Sequence, residues 1–174
     1  MGTSTAVPVE EYLRNTYDPD MEYVDGQLVD RHVGEYFHSR QQALIAFALG
    51  ARERVRRFRV FIEPRVRVSD QPRYRIPDIC VKAPPYATTP ILERPDLAIE
   101  VISPDDEVGE MLTKVGDYLA SGIPHIWLVD PYKRTVVEVD RDGIRRPASM
   151  VLSTALVGDV DFAALFAQLD EPAA

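Results

Sequence analysis

Two carboxylates stand where acidic residues are costly. Asp78 lies in "RIPDICV" among Ile76, Cys80 and Val81, and Glu100 lies in "LAIEVISPDD", where Leu97, Ile99 and Val101 share one face of a short apolar run. An ionised carboxylate removed from water costs several kcal/mol unless something compensates it. Each acid must therefore be paired, protonated, exposed at a sheet end, or bound to a cation. One such residue is met often as a half-exposed strand position. Two in two strands of one small sheet make a natural oxygen-donor pair for Mg²⁺ or Mn²⁺, hard cations that need few protein ligands.

Lys114 is a third candidate. It flanks an apolar helical stripe near Met111 and Tyr118, so its stem can lie along the sheet while its ammonium reaches a strand end. There it would stand beside an attacking water or the charge developing at phosphorus. The chain has only Lys82, Lys114 and Lys133 beside seventeen arginines, so lysine is not its ordinary surface cation. His38 shares a helix side with Ile45 and Leu49, which allows a site residue or proton shuttle as well as an ordinary helix-edge histidine. Glu35 is a possible further carboxylate, and Glu63 beside Pro64 reads as a salt-bridged strand end.

Other chemistries find less support. Cys80 has no signalled histidine partner, His32 and His38 lack zinc-ligand spacing, and no phosphate-cradling glycine loop is present. Trp127 and Tyr118 read as packing residues. The single cysteine excludes an internal disulfide. A net charge of −8 argues against coating nucleic acid by bulk electrostatics. Residues 52 to 75 nevertheless carry nine arginines against Glu53, Glu63 and Asp70, a local balance of +6. That run reads either as a solvated face or as a phosphate-facing stripe. No apolar stretch is long enough to span a bilayer, and the first residues lack a basic-then-apolar signal, so the expectation is a soluble, cytoplasmic protein.

The elements that must position these groups follow from pattern. Residues 9 to 15 suggest a short helix, and "MEYVDGQLVDRHV" a hairpin turning at "DG". A long helix is expected from about residue 34 to 57, with Phe37, Leu44, Ile45, Ala48, Leu49 and Val55 on its apolar side. Strands follow at about 59–62, 65–69 and 76–82, the first two meeting at Pro64. "APPYATTPILERP" is an irregular loop, and the Glu100 strand follows it. A helix capped by Ser103 or Asp105 runs to Ser121 and stops at Gly122. "HIWLVD" and "TVVEVD" are strands joined at "PYKR", and the tail after 147 is a short strand and a weak helix on the edge. The strand-helix-strand passage makes part of the sheet parallel, which gives a mixed α/β fold.

The ordered set "EYVDGQLV", "EYFHSRQQ", "RIPDICV", "LAIEVISPDD" and "DYLASGIPHIWLVDP", covering roughly residues 10 to 140, resembles the Uma-two family, a branch of the PD-(D/E)xK nuclease superfamily. The resemblance implies a restriction-endonuclease-like core in which Pro77 and Asp78 supply "PD" and Glu100 the second acid. Ile102 stands where the motif lysine would be, and Lys114 matches a lysine moved to the following helix. His38 matches a histidine common in the family.

These readings give one restriction-endonuclease-like α/β domain over residues 1–174, with its core at about 20–140. The expected function is Mg²⁺-dependent (or Mn²⁺-dependent) hydrolysis of DNA phosphodiesters. Asp78 and Glu100 would hold the metal, Lys114 and His38 would assist catalysis, and the arginines would hold the phosphate backbone. Cutting both strands of a duplex suggests a homodimer. The competing reading is a catalytically degenerate module of the same fold that binds nucleic acid or protein.

Overall fold

The computed structural model describes residues 6–30 and 35–170. In chain order the elements are α1 (Val9–Arg14), β1 (Met21–Val24), β2 (Gln27–Asp30), α2 (Tyr36–Gly50), α3 (Glu53–Arg56), β3 (Arg59–Ile62), β4 (Val66–Arg67), β5 (Arg73–Arg75) and β6 (Ile79–Lys82). They continue with β7 (Leu92–Glu93), β8 (Leu97–Val101), α4 (Val108–Ser121), β9 (His125–Asp130), β10 (Thr135–Asp140), β11 (Gly143–Arg145), β12 (Val151–Thr154), β13 (Gly158–Asp161) and α5 (Phe162–Ala167).

A six-stranded sheet, β11-β10-β9-β8-β6-β3, is the frame. Its strands are antiparallel except β8 and β9, which α4 joins in parallel. A five-stranded sheet, β2-β1-β5-β4-β7, lies against the α4 side, and β12 and β13 form a hairpin. The fold is mixed α/β, as the sequence implies.

Alternation along β8 decides where each side chain goes. Leu97, Ile99 and Val101 join Leu44, Ile45 and Leu49 of α2 and Trp127 of β9 in the larger core. Ala98 packs on the other side with Val115 and Tyr118 of α4, and Glu100, two residues on, faces the same way. A strand buried on both faces thus delivers one carboxylate to the helix that carries Lys114.

Several boundaries differ from expectation. The long helix breaks at Gly50–Ala51, resumes for one turn as α3 and ends at Arg57 in the left-handed region (φ 60°). Val55 is 85% exposed and belongs to no core. The expected start of that helix at 34, and the hairpin's end at 31–33 with His32, lie outside the described residues. β3 and β4 do not pair. Glu63 (φ 49°) and Pro64 mark where the chain leaves one sheet for the other. β5 is an additional strand, and Asp78 stands just before β6 rather than within it.

α4 starts at Val108 with no side-chain cap, because Asp106 turns back to accept from the Ser103 N–H at 2.7 Å. Val108 and Leu112, apolar residues at helical spacing with Val115 and Tyr118, are nevertheless exposed. The tail is not an edge decoration. Phe162 and Phe166 enter the larger core, and the Phe162 ring meets Trp127 edge-on at 5.8 Å.

α4 ends as expected at Gly122, whose φ of 91° is open to glycine and strained for an L side chain. Gly122→Ala is expected to destabilise the protein by about 1–2 kcal/mol, read from the shift of a denaturant midpoint with unchanged slope.

Candidate active site

β6 and β8 pair antiparallel with Ile79 opposite Ile99, which sets Asp78 and Glu100 together at one end of the central sheet. Both residues are buried, at 3% exposure each. Asp78 is fixed from three sides. Its Oδ2 accepts from the Val101 N–H at 2.7 Å and lies 3.3 Å from His38 Nε2, and its carbonyl accepts from the Gln42 side chain at 3.1 Å and the Glu63 N–H at 3.0 Å. His38, one helical turn into α2, therefore does reach the site.

Glu100 accepts a hydrogen bond from the Tyr118 hydroxyl, which α4 presents one turn after Lys114. Burial pushes the Glu100 carboxyl up to about 8. Asp78 and Glu22 push the same way, while the Lys114 ammonium and the Tyr118 hydroxyl oppose them. Burial beside Glu100 also raises the Tyr118 hydroxyl, and burial raises the Cys80 thiol, which removes it further from nucleophilic use.

A small cleft opens over the pair. Asp30, His38, Asp78, Glu100, Asp106, Glu107, Glu110 and Lys114 line it together with Val101, Ser103 and Met111. Six carboxylates against one lysine make a strongly negative cleft that favours a cation. The two buried acids fit a hard divalent ion: they are oxygen donors, and Glu100 is held short of ionisation by burial and by the charge beside it. Among the described residues no three His, Cys, Asp or Glu groups converge as a ready metal cluster. Mg²⁺ needs no such cluster, since it retains several waters.

All four expected site residues, Asp78, Glu100, Lys114 and His38, line this one cleft. Glu35 does not. It is exposed and accepts from the Tyr132 hydroxyl at 3.2 Å. Two residues were not foreseen. Tyr118 reads as packing but holds Glu100, and Glu22 of β1, fully buried, lies 3.4 Å from the Lys114 ammonium.

The arginine run also reads differently. Arg52 and Arg56 donate to carbonyls of residues 155–159, Arg65 to those of Tyr12 and Asn15, and Arg67 to those of Ser69 and Asp70. Arg59 lies over the Tyr86 ring, and Arg73 and Arg75 are ion-paired. Seven of the nine thus tie the chain to itself, and only exposed Arg54 and Arg57 remain of the phosphate stripe.

The chain matches a family profile, Uma2, described as "Putative restriction endonuclease", over residues 9–156. No match to a curated protein was found. Among solved structures it is similar to a crystal structure of a putative nuclease belonging to DUF820 from Anabaena variabilis. The two are 22% identical, with a TM-score of 0.81, over 94% of this chain and 99% of that one. That likeness shows the fold. A DrdV–DNA complex matches at a TM-score of 0.35 and 17% identity, over 78% of this chain and 13% of its own.

Proposed function

The chain belongs to the Uma2 family, and from that premise we propose that it is a divalent-metal-dependent endonuclease acting on DNA, with Asp78 and Glu100 as metal ligands. The observation that carries this reading is the pair itself: two carboxylates, each 3% exposed, set side by side at adjacent strand ends and open to one acidic cleft.

A bound Mg²⁺ or Mn²⁺ would supply a water of lowered pKa and positive charge at the scissile phosphate. The chain's own residues do the rest. The Val101 N–H and His38 hold the Asp78 carboxylate in one orientation, and Tyr118 does the same for Glu100. Lys114 places a fixed positive charge at the cleft, where it attracts the phosphate and stabilises charge that builds on it. His38, 3.3 Å from Asp78, would carry a proton between Asp78 and the cleft. The acidic cleft repels nucleic acid until cation and phosphate occupy it together.

Incubation of supercoiled plasmid with the protein is expected to give nicked and linear products with Mg²⁺ or Mn²⁺ and none with a chelator. DNA binding without cleavage in either metal would instead favour the degenerate module. Cutting both strands also requires a second active site, so a homodimer is expected from sedimentation in the presence of substrate.

Tyr118→Phe removes the donor to Glu100 while keeping the ring that fills the core. Such supporting hydrogen bonds are worth about 10-fold to 100-fold in metal affinity. Calorimetric Mn²⁺ titration of the variant should show the lower end of that loss, with stability little changed.

A further inference from the structure

A lysine two residues after Glu100 would be placed by the β8 backbone. Here that position is Ile102, and the positive charge arrives from α4 on a long side chain with several freely rotating bonds. Unless that freedom is removed, the ammonium does not hold one place relative to Asp78 and Glu100.

A restraint of measured geometry comes from the second sheet. Glu22 Oε1 lies 3.4 Å from Lys114 Nζ and accepts the Ile76 N–H at 3.0 Å, while its Oε2 accepts from Arg75 at 2.7 Å. Arg75 is fixed in turn by Asp117 of α4 at 2.8 Å. Glu22 is fully buried and lies outside the cleft lining, behind Lys114. Arg75 already has Asp117 as a partner. The contact to Lys114 is thus more than Arg75's neutralisation requires.

We propose that Glu22 is the positioning residue for Lys114: a rigid, buried carboxylate of the N-terminal hairpin that holds the ammonium at the cleft. This gives the β1–β2 hairpin a part in the site. The chemical use of Lys114 rests on the nuclease reading above, but its placement by Glu22 does not.

The test uses that independence. The full chain has three lysines, Lys82, Lys114 and Lys133, so ¹³C,¹⁵N-lysine labelling gives a spectrum simple enough to assign with Lys114→Met. In the wild type the Lys114 ε-methylene is expected to be more rigid than that of Lys133, whose side chain is 80% exposed and reaches only Asp130 at 3.2 Å. Glu22→Gln should make Lys114 mobile or shift its signal, and Asp117→Asn, which loosens Arg75 without touching the Lys114 contact, should not. Should Glu22→Gln fail to fold, Glu22→Asp keeps a charge for Arg75 but withdraws it from Lys114, and the same loss of order is expected.

In the cleavage assay Glu22→Gln should lower kcat by about 100-fold with KM little changed, the scale of loss for a misplaced group. An unchanged Lys114 signal in Glu22→Gln or Glu22→Asp overturns the proposal. So does an equal change in Asp117→Asn. A wild type that cleaves nothing defeats the nuclease reading alone, because the spectra still decide the placement.

Discussion

Asp78→Asn is expected to abolish measurable Mn²⁺ binding and to lower plasmid cleavage by at least about 1,000-fold, equivalent to about 4 kcal/mol of transition-state stabilisation. The fold should survive. The amide oxygen can still accept from the Val101 N–H, which keeps the β6–β8 strand ends together. Without metal the variant should be no less stable than the wild type above about pH 8, where Glu100 is ionised, because it removes a negative charge that works against that ionisation. A structural carboxylate would behave in the opposite way, with stability lost and metal affinity unaffected. Calorimetry and a denaturant titration on the same two proteins therefore discriminate.

The same pair fixes a pH dependence. Glu100 is pushed up to about 8, well above an ordinary carboxylic acid, so near neutrality the metal-free site holds a proton that a cation must displace. Mn²⁺ affinity is expected to rise with pH up to about 8 and level off above it. For the metal-free protein the sign is reversed. A folded-state pKa above the unfolded value means that the native state binds the extra proton, so the contribution of Glu100 to stability is complete below about 4.5, is lost as pH rises to about 8, and is level above that. Affinity independent of pH over this range would remove Glu100 from the ligand set.

Asp78 and Glu100 were legible because a charge inside an apolar run is an anomaly in the sequence itself. Lys114 was legible because helical spacing puts it beside a buried stripe. Tyr118 was not, since a tyrosine on such a stripe looks like packing until the strand opposite its hydroxyl is known. Glu22 was hidden for a related reason. In a four-residue strand it reads as the outward member of an alternation, and its partner Arg75 lies 53 residues away.

Pairing across such separations is set by sheet order, which local pattern does not carry. The arginines misled similarly. Backbone carbonyls are their main acceptors, and a carbonyl has no signature in a sequence. The helix overran to Arg57 because nothing after Gly50 disfavours helix strongly. The tail was misplaced because "FAALFAQL" reveals apolarity but not the Trp127 ring that it covers.

Replacing Arg75 should be the most destabilising single change to a charged residue of this protein. Its side chain is 3% exposed and bridges Glu22, which has no exposure, to Asp117. Burial opposes the guanidinium charge, and the two acids more than offset it, so the group is held charged more firmly than a free arginine. Arg75→Met preserves much of the volume but leaves the Glu22 carboxylate without its nearest compensating charge. Breaking a buried pair from one side costs about 3–5 kcal/mol, a large part of the total stability of a domain of this size.

The expected measurement is a denaturant midpoint lowered by that amount, with loss of soluble protein on warming. The pair as a whole need not be stabilising. In Glu22→Leu with Arg75→Met, no buried carboxylate is stranded on β1, and part of the loss should return. A double-mutant cycle then gives a coupling energy of about 2–3 kcal/mol. Recovered stability with Lys114 still mobile would separate the two roles of this cluster. Hydrophobic packing would then replace the ion pair in holding β1 to β5, while the Glu22 carboxylate would be required for the ammonium's place at the cleft.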